Sequence, residues 1–206
     1  MLVFADNDIL IKLAGCSLLD RFLRALSHPE IRIAPTTRFS LPKQAKRQIR
    51  DQGVAESLCA WVRELQDTDA VQNVGRLDRL SAFHGIDAGE SILFSAVCEA
   101  DDSARLVTGD RRSLRALLVN QQQLQVEVSQ IAGKVYTLES AFLLLIEQYG
   151  FADVDETMGA RSVDDKVLDM AFGPGRNVEH ARQCLSSAAR EVLPLLAHPD
   201  LVVPLE

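Results

Sequence analysis

Cysteine is scarce and scattered in this chain. Cys16, Cys59, Cys98 and Cys184 form no C-x-x-C pair, which excludes the usual structural zinc frameworks and a disulfide-stapled fold. Three of them, Cys16, Cys59 and Cys98, fall inside apolar helical patterns, where a reduced thiol acts as a small hydrophobe. A reducing, cytoplasmic setting is therefore expected. Long apolar runs are missing too. Nothing approaches the roughly 18 apolar residues of a membrane span, and no basic segment precedes an apolar stretch at the N-terminus. The expectation is a soluble, untargeted protein with no membrane partner. Aromatic residues make up 5% of the chain, which leaves no obvious platform for base stacking. Positive charge is short as well: the net charge is −7, and residues 151–206 hold 10 acids against 5 bases. The general basic footprint of a dedicated nucleic-acid binder is lacking. The four histidines offer no cluster. His28 and His198 precede prolines as turn residues do, His84 reads as a surface or packing residue, and His180 falls on a C-terminal helix.

What is present is enough apolar material for a core, 47% of 206 residues. That suits one large domain, or one domain with an appendage. The organising stretch is MLVFADNDILIKLA. The apolar run Leu2 to Ala5 reads as a buried strand, and its end hands Asp6 and Asp8 to a helix carrying Ile9 to Ala14. Ser17 to Leu26 has helical spacing and stops at His28-Pro29. Ile31 to Ala34 reads as a second strand, and Thr36-Thr37 offers an N-cap to a basic helix with Arg38, Lys43, Lys46, Arg47 and Arg50. Val54 to Leu65 is amphipathic, with Leu58, Trp61, Val62 and Leu65 inward. A polar connection and Val74 to Phe83 lead to HGIDAGESILFSAVCEADD, which opens a helix at Asp87. Leu106 to Thr108 reads as a strand ending in Gly109-Asp110, followed by a helix with Leu114, Leu117 and Leu118. Leu124 to Val128 reads as a fourth strand. Val135 to Leu138 reads as a fifth extended piece or the lead into a helix over Leu138 to Tyr149. Strands alternating with helices argue a parallel α/β sheet. Composition changes at Gly150. The division expected is residues 1–150 as the main domain and 151–206 as a helical extension, with helices near 162–172 and 177–197.

In an open α/β sheet, ligands bind beyond the carboxyl ends of the strands. Asp6, Asp8 and Asp110 follow strand ends, and Asp87 with Glu90 opens a neighbouring helix. Each acid can also be read as a helix cap: Asp87 and Glu90 have the spacing of a capping box, and Asp6, Asp8 and Asp110 can each serve as an N-cap. As a group they would crowd one edge of the sheet. Clustered carboxylates repel unless a cation compensates them, and hard oxygen donors select Mg²⁺ or Mn²⁺. Thr36, Thr108 and Ser113 could position water or phosphate, or simply cap. The chemistry implied is hydrolysis of a phosphoester or phosphodiester.

Three segments, FADNDILIKLA, DAGESILFSAV and LVTGDRRSLRAL, in this order and spacing, resemble the PIN-domain nuclease family over about residues 1–135. The resemblance implies a three-layer α/β/α fold with a mainly parallel sheet, here followed by C-terminal helices. It implies a metal-dependent endoribonuclease, often the toxin of a toxin–antitoxin pair, with Mg²⁺ or Mn²⁺ as cofactor. By position Asp6, Glu90 and Asp110 match the metal-holding acids, with Asp87 just ahead of the glutamate and Asp8 in support. RNA is the expected substrate, with DNA the alternative, and Arg111, Arg112, Arg115, Arg38, Lys43, Lys46 and Arg47 are the expected phosphate contacts. An antitoxin-like protein and a second copy of the chain are the expected protein partners. Two other readings stand beside this one. Asp6-Asn7-Asp8 also resembles the D-x-D of haloacid-dehalogenase-like phosphatases, with Asp6 as nucleophile and Asp8 as general acid. A degraded acid set, by contrast, would leave a binding or regulatory module.

Overall fold

A computed structural model describes residues 1–69 and 71–204. It is an α/β protein with a five-stranded parallel sheet, helices on both faces and further helices at the C-terminus. The strands are β1 (Leu2–Ala5), β2 (Glu30–Ile33), β3 (Gln66–Asp67), β4 (Arg105–Val107) and β5 (Val135–Tyr136), in the order β3-β2-β1-β4-β5. All pairings are parallel. The central β1 buries Val3, Phe4 and Ala5 consecutively, as a strand covered on both faces must. Its register sets Ala5 opposite Ile33 of β2 and Val107 of β4. The chain builds outward from β1 through β2 to β3, then returns to its other side with β4 and β5. The winding therefore reverses between β1 and β4, where open parallel sheets leave a crevice at their carboxyl ends.

Helix α1 (Asn7–Gly15) follows β1 directly and is buried along Ile9, Leu10, Ile11 and Leu13. After α2 (Leu19–Ala25), helices α3 (Thr37–Gln48) and α4 (Gln52–Glu64) pack with each other and on α1. On the other face, α5 (Val74–Ser81) packs on α6 (Ala88–Glu99), which lies over β1 and β4. Helix α7 (Arg111–Val119) leaves β4. Leu58 and Val62 of α4 are buried, and Trp61 is half-buried against the core.

Several expectations need correction. Leu124 to Val128 is not a strand. It opens α8 (Gln125–Ile131), which packs on α6. Its apolar residues alternate, but Leu124, Glu127 and Ile131 are the buried set, a helical spacing. Glu127 can face inward because Arg79 meets its carboxylate at 2.6 Å. Strand β3 lies in the polar connection. It has two residues at the sheet edge, too short to carry an apolar pattern. Thr36 makes no side-chain cap to α3; its carbonyl instead accepts the Ser40 hydroxyl.

Beyond α9 (Leu138–Tyr149), the C-terminal part holds α10 (Phe151–Met158), α11 (Lys166–Ala171) and α12 (Val178–Ala189). The helix expected near 177–197 thus ends at Ala189 and tightens into a 3₁₀ segment, Arg190–Leu195, that contains Pro194. Residues 151–204 are joined closely to the rest. Ser162 N–H donates to the Gly15 carbonyl, and Arg50 N–H donates to the Ser162 carbonyl, both at 2.7 Å. Leu196 bridges Val135 alongside β5. A side chain at Gly15 would place its Cβ 2.7 Å from that of Val163. One continuous core runs from Val3 to Val202.

Candidate active site

A cleft of about 520 Å³ opens at the carboxyl ends of β1 and β4. Asp6, Asp8, Asp87, Glu90 and Asp110 all line it. The five acids singled out by their sequence positions therefore meet in one place. Asp6 is held where β1 ends: its N–H donates to the Val107 carbonyl of β4, and Thr108 Oγ1 lies 3.5 Å from its Oδ2. Asp110 follows two residues after Thr108, whose hydroxyl accepts the Asp110 N–H at 3.1 Å.

Each acid also has a structural task. Asp6 Oδ1 accepts the Asn7 N–H at 2.6 Å and caps α1. Asp110 caps α7 through the N–H groups of Arg112 and Ser113. Asp87 and Glu90 form a reciprocal capping box: the Glu90 N–H donates to Asp87 Oδ1 at 3.0 Å, and the Asp87 N–H donates to Glu90 Oε2 at 2.6 Å. Capping and site-building coexist because helix N-termini converge where parallel strands end.

The cleft is electrostatically unbalanced. Burial, then the charges of Asp8 and Asp110, push the Asp6 carboxyl up to about 6 against the opposing Asn7 N–H. Burial, then hydrogen bonding with Asp87, with Asp110 adding to it, pushes Glu90 up to about 9. Asp87 moves the other way, chiefly because the protonated Glu90 hydrogen-bonds to it. Upward shifts of this kind are the response of carboxylates that are buried beside one another. Arg112 gives little compensation, standing 3.6 Å from Asp110 with a mostly exposed side chain.

Asp8 differs from the others. Lys12, one turn on, meets it at 2.9 Å, and Asp165 of the C-terminal part meets the same ammonium at 2.8 Å. Burial works against the Lys12 charge, but the two aspartates outweigh it and raise its pKa. The Asp8 carboxylate also lies so close to Gly109 that a Cβ there would fall 2.3 Å from its Oδ2. Glycine at 109 is what lets α1 and the β4 loop approach.

The donor set suits Mg²⁺ or Mn²⁺ in kind, being carboxylate oxygen with excess negative charge. Among the described residues, however, no three such side chains converge tightly enough to hold one ion. Glu90 is turned back onto its own helix cap.

The expected phosphate contacts separate. Arg112 lines the cleft. Arg111 points away, pairing with the buried Glu139 at 3.2 Å and donating to the Ala188 carbonyl. Arg115 pairs with Glu191. Arg38 is spent on Asp67 and on the carbonyls of Arg63 and Leu65. Lys43, Lys46 and Arg47 stay exposed on α3. Three cleft residues had no signal in the sequence: Asn7, Ser40 and Gln44. Asn7 Nδ2 donates to Ser40 Oγ at 2.8 Å and Gln44 Oε1 at 3.4 Å, while its buried Oδ1 has no partner. Their i, i+4 spacing on α3 was readable, but nothing marked that face as facing the acids.

Comparison with protein-family models, with curated proteins and with solved structures finds no match to this chain.

Proposed function

We propose that this chain is a Mg²⁺- or Mn²⁺-dependent nuclease that hydrolyses phosphodiester bonds, with RNA as its substrate. One observation carries the reading. Asp6, Glu90 and Asp110 come from three separate elements to one cleft at the reversal point of a parallel sheet, where burial and the neighbouring aspartates raise the pKa of Asp6 and Glu90. The choice of a nuclease, and of RNA, rests on the resemblance of the three acid-bearing segments to PIN domains. Asp6, Glu90 and Asp110 would hold the ion once Glu90 swung off the helix cap it forms with Asp87, with Asp87 behind it. A divalent cation bound there supplies charge neutralisation and polarises water and phosphate. The chain supplies position: the strand ends fix Asp6 and Asp110, Thr108 steadies both, and Arg112 offers the phosphate a guanidinium.

The phosphatase alternative asks Asp8 to carry a proton to a leaving group. Its carboxylate is instead neutralised by Lys12, which Asp165 holds in turn. That favours the nuclease.

The test is cleavage of mixed single-stranded RNA and DNA with Mn²⁺ and with EDTA, for the wild type and Glu90→Gln. The expected result is metal-dependent cutting of RNA that the substitution removes. Release of phosphate from small monoesters without cutting of either polymer would replace the nuclease with a phosphatase. Silence in both assays, with no Mn²⁺ bound in a titration, would leave a binding module.

A further inference from the structure

Successive residues of an α-helix turn by about 100°, so α3 sorts its side chains into neighbouring stripes. Thr37, Leu41 and Ala45 are buried against the core. Ser40 and Gln44, next around the axis, line the acid cleft. On the outer side of that stripe come Lys43 and Arg47, and beyond them Phe39 with Lys46. All four are exposed. Phe39 is 78% exposed, more than any other Phe, Tyr or Trp among the described residues.

A lone exposed apolar residue needs no explanation. The setting of Phe39 is different. It sits one residue from a cleft-lining serine, among three cations, on a helix with no acid in a protein of net charge −7. Within residues 38–50, Arg38 and Arg50 are drawn into ion pairs with Asp67 and Asp164, while no ion pair among the described residues engages Lys43, Lys46 or Arg47. An aromatic face beside free cations, leading to a carboxylate cleft, is the pairing that binds a stacked base and its flanking phosphates.

We propose that this face of α3 is the entry track for single-stranded nucleic acid, with an unpaired base stacked on Phe39 and Lys43, Lys46 and Arg47 holding the phosphates that lead into the cleft. This rests on the nuclease reading and names the form of its substrate. The strand must be single because the bases of a duplex are already stacked on both faces. An acidic peptide would use the cations but gain little from Phe39, so the aromatic residue separates the two partners.

The test is fluorescence anisotropy with a labelled 12-nucleotide single-stranded RNA, the same sequence as DNA, and the RNA duplex. EDTA is present, so no cleavage enters the readout. Phe39→Ala weakens single-strand binding about 5- to 150-fold, the range set by 1–3 kcal/mol per stacked base. Phe39→Trp restores it. Lys43→Ala with Arg47→Ala lowers the slope of log affinity against log salt by about 1.4. Binding by Phe39→Ala equal to wild type would overturn the track, as would an equal loss for duplex and single strand. A polyglutamate peptide that binds wild type and Phe39→Ala alike, with no RNA bound, would assign the face to an acidic protein instead. Binding that does not depend on Phe39, with Mn²⁺-dependent cleavage by the wild type, refutes the track alone. Track binding as expected, with no polymer cut, refutes the nuclease alone.

Discussion

Two groups of charges lie beside the sheet of this protein, and they are built on opposite principles. Around α5, α6 and α8, Arg76 and Arg79 face Glu99 and Glu127, two cations against two anions. The Glu99 carboxylate also accepts the N–H groups of Gln72 and Asn73. A cavity of about 720 Å³ adjoins this cluster, larger than the acid cleft. Its charges already answer one another, which is the arrangement that buried ions need in order to be structural. At the carboxyl ends of β1 and β4, by contrast, Asp6, Glu90, Asp87 and Asp110 meet little but the exposed end of one arginine, and burial with the neighbouring carboxylates raises the pKa of Asp6 and Glu90. Volume alone would direct attention to the first region. Charge balance directs it to the second, because unmatched buried charge is costly and persists where something outside the chain completes it.

Breaking each cluster tests the contrast. The largest effect is expected in the cleft, where Asp110→Asn should lower cleavage on the order of 10³-fold while circular dichroism and Tm stay near wild type, since Asn also caps helices. A variant that cleaves normally would remove the central assignment. In the balanced cluster the loss should be of stability instead. Glu127→Ala removes the carboxylate that Arg79 meets and one of the two that face Arg76 and should cost about 1–3 kcal/mol in urea unfolding, while cleavage by the folded protein is retained. Gly15→Ala drives a methyl into Val163 and should cost about 1–3 kcal/mol, showing that the C-terminal part contributes to the stability of α1.

The smallest effect sharpens the contrast most. Glu90→Gln keeps the hydrogen bond to the Asp87 N–H and removes a buried carboxyl that the fold must otherwise protonate. At pH 8 it should raise stability by about 1 kcal/mol, or about 2–4 °C in Tm, while abolishing cleavage. The pH dependence follows from the same groups. The folded protein keeps protons on Asp6 up to about 6 and on Glu90 up to about 9, whereas the unfolded chain releases them near pH 4. Between those limits the native state binds more protons, so stability falls as pH rises. The penalty is absent below about pH 4 and complete above about pH 9. Millimolar Mn²⁺ should therefore raise Tm more at pH 8 than at pH 5, and an equal rise at both would contradict metal binding by these carboxylates.

Much of the cleft was legible because its acids sit at local landmarks. Asp6 and Asp110 follow short apolar runs, and Asp87 with Glu90 has capping-box spacing, so each announces a strand end or a helix start. The arginines were not legible in the same way. Arg111, Arg112 and Arg115 lie within five residues, yet one lines the cleft and two are drawn to Glu139 and Glu191, more than twenty and seventy residues away. Strand β3 was hidden by its polar two-residue length. Helix α8 was hidden by an alternation that buried Glu127, rather than its valines, resolves.

By itself the sequence determined what short-range physics controls: apolar runs for the central strands, carboxylates at their ends, caps for α1, α6 and α7, and an excess of negative charge. Only the tertiary structure decided what depends on distant partners. Winding outward from β1 in both directions is what brings Asp6 and Asp110 together across more than a hundred residues. Packing of the C-terminal part brings Asp165 to Lys12 and so fixes Asp8. The burial of one face of α3 leaves Phe39 and its cations turned outward beside the cleft. Each of these outcomes is set by which faces must leave water, and that is a property of the whole assembly, not of any local stretch.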